Sequence, residues 1–384
     1  MSELLEEERL SEHRSLQLQF HQFVAKEIEP YVIDWENNEG ISLDIVTRLK
    51  EAQYFGLTMP KKLGGLGHDY VTYGMLNEEI GYASVSLSGL LNVHTMVTET
   101  ILKWGTEEQK NTILIELIKG QKIGALALTE PEAGSDLTMI QTEYINNGDS
   151  VILNGHKKWI TFGGLADIIL VFGKMEGKHV AYLVDKDTPG LTIKPIKGML
   201  GFKASYLAEL KFDHCIIPQN NMVGRPGFAL SHLAPYALTF GRLSIAFASV
   251  GLIKACLSAC GKYVTSRKSF NTPLIQHGMI SHMITEMGVD LEAARLLALQ
   301  ACQAKDQNKS DVIEQMMIAK YFASRAAVRH ASNAVQIMGA QGCNEEYGVA
   351  RFYRDCKALE IVEGSSQIHE MILGPRFARK GKRL

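Results

Sequence analysis

Leu359-Glu360-Ile361-Val362-Glu363-Gly364-Ser365-Ser366-Gln367-Ile368-His369-Glu370-Met371-Ile372-Leu373 delivers a single carboxylate, Glu363, to a Gly-Ser-Ser step. Beyond that step Ile368, Met371 and Ile372 recur at the i, i+3, i+4 spacing of one helical face. Gly364 permits close backbone approach, and Ser365 or Ser366 caps the helix that follows. Glu363 is therefore expected just before a helix N-terminus, where unpaired N–H groups favour negative charge. A carboxylate beside free donors suits proton removal next to a carbonyl: the base takes the proton, and the donors hold the charge that develops on oxygen. The plainer reading is an acid that only satisfies the helix end.

Upstream, residues 1–121 read as a helical domain. Leu16, Phe20, Phe23 and Val24 form an apolar stripe, which Glu29-Pro30 ends or kinks. Helices are expected over 73–83, 93–104 and 107–118, the last opening at Thr106. The glycine-rich loop Pro60 to Gly67 lacks both the GxGxxG and the GK[ST] pattern and reads as a structural turn. Across 122–228 β-branched and aromatic runs are separated by turn signals such as Asn147-Gly148 and Pro189-Gly190. Strands joined only by turns predict an antiparallel barrel or sandwich. Residues 229–384 return to long helices, over 243–264, 279–306 and 311–338, with the lengths of a four-helix bundle. The expected class is α+β, with a β domain between two helical ones.

Hydrophobic residues at 46%, charged residues at 21% and a net charge of −2 describe an ordinary globular chain without a basic footprint for nucleic acid. The Arg379 to Arg383 tail reads as a solvated end. The acidic start carries no signal-peptide pattern, and no apolar run is read as reaching transmembrane length. No membrane association and a cytoplasmic location are expected. The six cysteines form no CxxC pair, and no histidine cluster has zinc-ligand spacing, so buried free thiols and no metal are expected.

Three separated stretches now combine: Leu126-Ala127-Leu128-Thr129-Glu130-Pro131-Glu132-Ala133-Gly134-Ser135-Asp136, then Gly155-His156-Lys157-Lys158-Trp159-Ile160-Thr161-Phe162-Gly163-Gly164, then Tyr353-Arg354-Asp355-Cys356 running into Glu363-Gly364-Ser365-Ser366-Gln367. Together they resemble the acyl-CoA dehydrogenase superfamily of FAD-dependent flavoproteins, over essentially the whole chain. The resemblance implies that Leu128, Thr129, Gly134 and Ser135 lie near flavin or substrate and that Trp159 and Thr161 cover the flavin ring. It implies that Arg267 and Phe270 reach a neighbouring subunit's flavin, with Gln336 and Gly339 as another contact across subunits. Ser365 and Gln367 would complete the cofactor pocket, and Ser135, Arg242 and Gly364 would meet the substrate. At least a homodimer is implied, and commonly a homotetramer.

Some positions depart from the family pattern: Gly278 and Ala340 stand where Gln and Gly are frequent, and Lys203 where Arg is common. Some members carry their base immediately before the Arg that opens the first long C-terminal helix. Here that position is Gly241, preceding Arg242, which leaves Glu363 as the candidate base.

The implied reaction is a two-electron oxidation of an acyl thioester. Glu363 takes the α-proton while the β-hydrogen leaves as hydride to the flavin. The segments Gly241 to Ala246 and Glu360 to Ser366 look more like a subgroup acting on acyl-carrier-protein thioesters, which makes hydroxy- or aminomalonyl extender units for polyketide and nonribosomal pathways. A catabolic acyl-CoA dehydrogenase forming a 2,3-enoyl-CoA is the alternative. A protective flavoprotein associated with nucleic acid is disfavoured by the weak charge and the retained Glu363. Electrons would pass to an electron-transferring flavoprotein or to oxygen.

Overall fold

A computed structural model describes residues 2–382 of the chain, with side chains from residue 11 onward. The acidic start and Arg383 of the basic tail lie outside the described side chains. The N-terminal part is helical: α1 (Ser2–Glu27), α2 (Val32–Asn38), α3 (Leu43–Glu51), α4 (Tyr70–Ala83), α5 (Val85–Trp104), α6 (Glu107–Asn111) and α7 (Ile113–Ile118). Pro30 ends α1 in a 3-10 turn, since it has no N–H to continue the ladder. Ser84 caps α5, its hydroxyl accepting from Leu87 N at 3.2 Å, so this helix starts well before residue 93. Thr106 opens α6 with a reciprocal capping box to Gln109. The single helix expected over 107–118 is broken at Thr112, whose hydroxyl bonds back to Glu108 O at 2.7 Å and competes with the helical ladder.

A curled sheet of seven strands follows: β1 (Gly124–Ala127), β2 (Glu143–Asn147), β3 (Ser150–Ile160), β4 (Ile168–Met175), β5 (Lys178–Asp185), β6 (Leu191–Pro195) and β7 (Ala208–Pro218). Its order is β1-β4-β2-β3-β7-β6, with β5 also on β4. The sheet is mixed, which corrects the antiparallel expectation. β1 pairs β4 in parallel, Gly124 to Ile168 through Ala127 to Val171, and β2 touches β4 in parallel at Glu143 and Lys174. The cause is the short β1, whose partner lies far along the chain and not across a turn. The loop at 60–67 is structural: a Cβ on Gly65 would stand 2.3 Å from Met59 O.

The C-terminal part contains α8 (Ala234–Ser266), the short hairpin strands β8 (Lys268–Ser269) and β9 (Thr272–Pro273), then α9 (Gly278–Asp306), α10 (Val312–Met338), α11 (Val349–Ile361) and α12 (Ser366–Gly381). The segment from Ala229 through α8 is long and apolar enough to cross a bilayer, contrary to the sequence reading, yet 78% of its apolar window is buried inside the protein. Glycines explain how closely it packs. A Cβ on Gly81 of α4 would stand 2.5 Å from Ala248 Cα, and one on Gly251 would stand 2.2 Å from Glu78 O. The N- and C-terminal helices thereby share one continuous core, with Leu76, Ile80, Phe247 and Ile253 all buried in it.

Candidate active site

Glu363 lies on the turn between α11 and α12. It adopts φ +58°, followed by Gly364 at +94°; for the non-glycine residue this is a sparsely populated region. Ser365, of the two candidate caps, accepts from Ile368 N at 3.5 Å, while Ser366 instead bonds the Glu360 carboxylate at 3.1 Å. The turn aims the Glu363 side chain inward. Its Oε1 accepts from Asn92 Nδ2 of α5 at 3.2 Å, and its Oε2 is buried without a hydrogen-bond partner. Burial raises this carboxyl above its ordinary value, against the opposing effects of Asn92, Arg242 and Lys320.

Two buried cations flank the turn. Arg242 of α8 donates through Nε to Glu363 O at 3.4 Å. Lys320 of α10, fully buried, donates to Glu360 O at 3.1 Å and Gly364 O at 2.8 Å. Burial pushes the Lys320 ammonium down to about 8, although Glu363 pulls it upward. Gly241 leaves room for the carboxylate.

The turn forms one wall of a cavity of about 720 Å³. Leu128, Thr129, Gly134, Ser135, Trp159, Thr161, Arg242, Glu363, Gly364 and Ser365 all line it, so ten of the residues proposed from sequence converge on one space. Most of the remaining lining is apolar, including Val93, Met96, Leu126, Phe202 and Ile368. Arg267, Gln336, Gly339 and Gln367 are surface-exposed and outside this cavity, and Phe270, at the tip of the β8–β9 hairpin, is 93% exposed.

The far wall is held by a second buried lysine. Lys157 of β3 donates to Leu128 O at 3.0 Å and to Glu130 at 2.8 Å, while Lys158 N bonds Thr129 O at 3.0 Å. Glu130 also accepts from Gln141 N at 2.7 Å and Thr142 N at 3.0 Å, which closes the loop back on itself. Burial works to raise Glu130, but Lys157 and these donors hold it below the usual carboxylate range. Burial lowers Lys157 to about 8. The β3 register against β7 shifts between Lys157 and Ile160, and within that irregularity Trp159 takes φ +63°. Trp159 is 47% exposed. Asp355, from the third quoted stretch, accepts from Phe202 N at 2.9 Å and ties α11 to the cavity wall.

These residues fit a flavin. A part-exposed indole on strained backbone borders an apolar cavity, and Thr129, Ser135 and Thr161 offer hydroxyls to a polar heteroaromatic ring. A Cβ on Gly134 would meet nothing within 4 Å, so the loop leaves open space there. Sequence reading missed Asn92, Lys320 and the Lys157–Glu130 pair. Lys320 did carry a signal, because it occupies an apolar-periodic position between the buried Met316, Met317 and Ala323. A lone Asn in an apolar helix carried none.

Family models match along the chain: acyl-CoA dehydrogenase N-terminal domain at residues 11–121, middle domain at 125–215 and C-terminal domain at 231–377. The chain is 35% identical over 365 residues to the probable acyl-CoA dehydrogenase YngJ of Bacillus subtilis, covering 93% of this chain and 95% of that one. The solved butyryl-CoA dehydrogenase of Megasphaera elsdenii superposes with a TM-score of 0.92 at 32% identity, covering 95% and 98% of the two chains. FkbI, solved as an enzyme for biosynthesis of the methoxymalonyl extender unit of a polyketide immunosuppressant, superposes with a TM-score of 0.87 at 27% identity, covering 94% and 99%. The shared architecture, the flavin-compatible cavity and these matches place the chain in the acyl-CoA dehydrogenase family, the FAD-dependent oxidoreductases of acyl thioesters.

Proposed function

We propose that Glu363 is the base that removes the α-proton of an acyl thioester held in this cavity. The buried, unpartnered Oε2 carries the reading. A buried acceptor without a donor is costly, and for a carboxylate in the wall of this cavity a catalytic role accounts for it. Asn92 engages Oε1, and Oε2 has no donor among the described residues. The apolar lining disfavours the ionised carboxylate and so makes it a stronger base. Bound FAD supplies the acceptor for the β-hydrogen, which leaves with its electron pair. Leu128, Thr129, Gly134, Ser135, Trp159, Thr161 and Ser365 would hold the flavin ring. Gln367, outside the cavity at the start of α12, would extend the cofactor pocket with Ser365, and Arg267, Phe270, Gln336 and Gly339 would serve a flavin across a subunit boundary in a homodimer or homotetramer.

We assign the acyl group to an acyl carrier protein, in biosynthesis of an extender unit. The likeness to FkbI supports this reading, as does the sequence around Arg242 and Glu363. The likeness to butyryl-CoA dehydrogenase supports a coenzyme A thioester and catabolism instead. A cytoplasmic location, with an electron-transferring flavoprotein or oxygen as acceptor, accompanies either reading. Anaerobic bleaching of the flavin by matched acyl groups, each on coenzyme A and on carrier protein, separates the two. Faster bleaching on carrier protein supports extender-unit synthesis, and equal or faster bleaching by coenzyme A esters moves the substrate to catabolism. Glu363→Gln is expected to keep its flavin and to lose bleaching by about 10²-fold or more. Bleaching at the wild-type rate removes Glu363 as the base.

A further inference from the structure

Lys320 spends a buried positive charge on two main-chain carbonyls. Its partners, Glu360 O and Gly364 O, stand on either side of Glu363 in sequence, one on the last turn of α11 and one at the end of the left-handed step. Burying an ammonium is costly unless the site compensates it. A helix C-terminus favours a nearby cation, which accounts for the bond to Glu360 O. It does not account for the bond to Gly364 O, which lies outside the helix. That bond ties the far side of the strained turn to α10, and Arg242 ties its middle to α8.

We propose that Lys320 is a positioning residue for Glu363: its ammonium clamps both ends of the left-handed turn and supplies counter-charge to the carboxylate. The proposal rests on Glu363 being the base. The charged and titratable groups around the pair are Arg242 from α8, Glu360 from α11 and His369 from α12. The carboxylate of Glu360 is engaged by Lys357 at 2.5 Å and Ser366 at 3.1 Å. His369 is held by burial near 4 and stays neutral above that pH. Arg242 and Lys320 are therefore the cations facing Glu363. Without Lys320 the turn relaxes, the carboxylate leaves its place, and its ionisation moves to higher pH.

The test compares wild type, Lys320→Met, Lys320→Arg and Glu363→Gln as FAD-loaded proteins. Two readouts are taken across pH: single-turnover bleaching by an oxidisable thioester, and washout of α-deuterium from a phenylacetyl thioester. The second probe has an acidic α-hydrogen and no hydride to give, so it reports the base alone. In Lys320→Met we expect both rates to fall about 10²-fold and the acid limb of both profiles to rise by about one pH unit. Flavin content should be unchanged. Lys320→Arg keeps the charge but cannot place one ammonium between the two carbonyls, so its rates should fall with the limb unmoved. If Lys320→Met does not accumulate as folded protein, Lys320→Arg decides: wild-type rates there overturn the proposal. Wild-type rates and pH profile in a folded Lys320→Met also overturn it, as does a fall matched by equal loss of flavin. Washout that survives in Glu363→Gln overturns the assignment of the base instead.

Discussion

A methyl group on Gly241 would stand 2.1 Å from Oε2 of Glu363 and 2.3 Å from its Cδ. Gly241 and Glu363, the two positions to which the family resemblance points for a base, thus compete for one volume, and a side chain at 241 would displace the Glu363 carboxylate. Gly241→Ala should displace the carboxylate and lower the bleaching rate by about 10²-fold, the usual result of misplacing a reacting group by an ångström. Flavin content and thermal midpoint should stay close to wild type. A fully active variant would show that the carboxylate reaches the substrate from another rotamer.

Asn92 donates to the carboxylate and opposes the upward push of burial. Asn92→Ala removes that donor, so the ionised base should appear only at higher pH. The acid limb of single-turnover bleaching should move upward, and the rate at mildly acidic pH should fall more than the rate at alkaline pH. A limb that stays in place would remove Asn92 from control of the base.

Glu363 also bears on stability. Its folded-state value is raised, so the folded protein binds this proton more readily than the unfolded chain does. Its contribution is fully favourable below the ordinary value of 4.5 and is lost as pH rises through the raised one. Glu363→Gln should therefore melt above wild type at neutral pH, and the gain should shrink as pH is lowered toward 4.5. Thermal unfolding at several pH values checks the sign. A variant less stable than wild type at neutral pH contradicts it.

Lys157 and Glu130 tie the 128–142 loop to β3. Removing one partner strands a buried charge, at a cost of about 3–5 kcal/mol. Lys157→Met should lower the unfolding midpoint in urea and release flavin sooner, because Leu128 and Thr129 lose their anchor. Unchanged flavin retention in a destabilised variant would confine the pair to a structural role.

Much of this was legible in the chain itself. The periodicity of Ile368, Met371 and Ile372 and the Gly-Ser-Ser step located the α12 start and put Glu363 before it. Val180 to Val184 and Ile168 to Phe172 were legible as strands because β-branched runs stood between turn signals. The parallel β1 was not, since Gly124-Ala125-Leu126-Ala127 has little strand propensity and depends on β4 for its hydrogen bonds. The groups that hold Glu363 were only partly legible: Arg242 was named as a substrate contact, but Asn92 and Lys320 were not. The three come from helices far apart in sequence, and only tertiary packing makes them neighbours.

The glycine contacts between α4 and α8 also bear on how the protein is made. The two faces that meet at Gly81 and Gly251 are separated by the entire sheet, so synthesis runs from one to the other without closing the core. A nascent chain that has completed α4 and α5 holds Leu76, Ile80 and Leu90 without their cover until α8 has left the ribosome. The sheet has all its strands by Pro218, before any of α8 has been made. The early apolar helices therefore complete their core only with a partner encoded more than a hundred codons later, and until then those faces are the aggregation-prone surface of the chain.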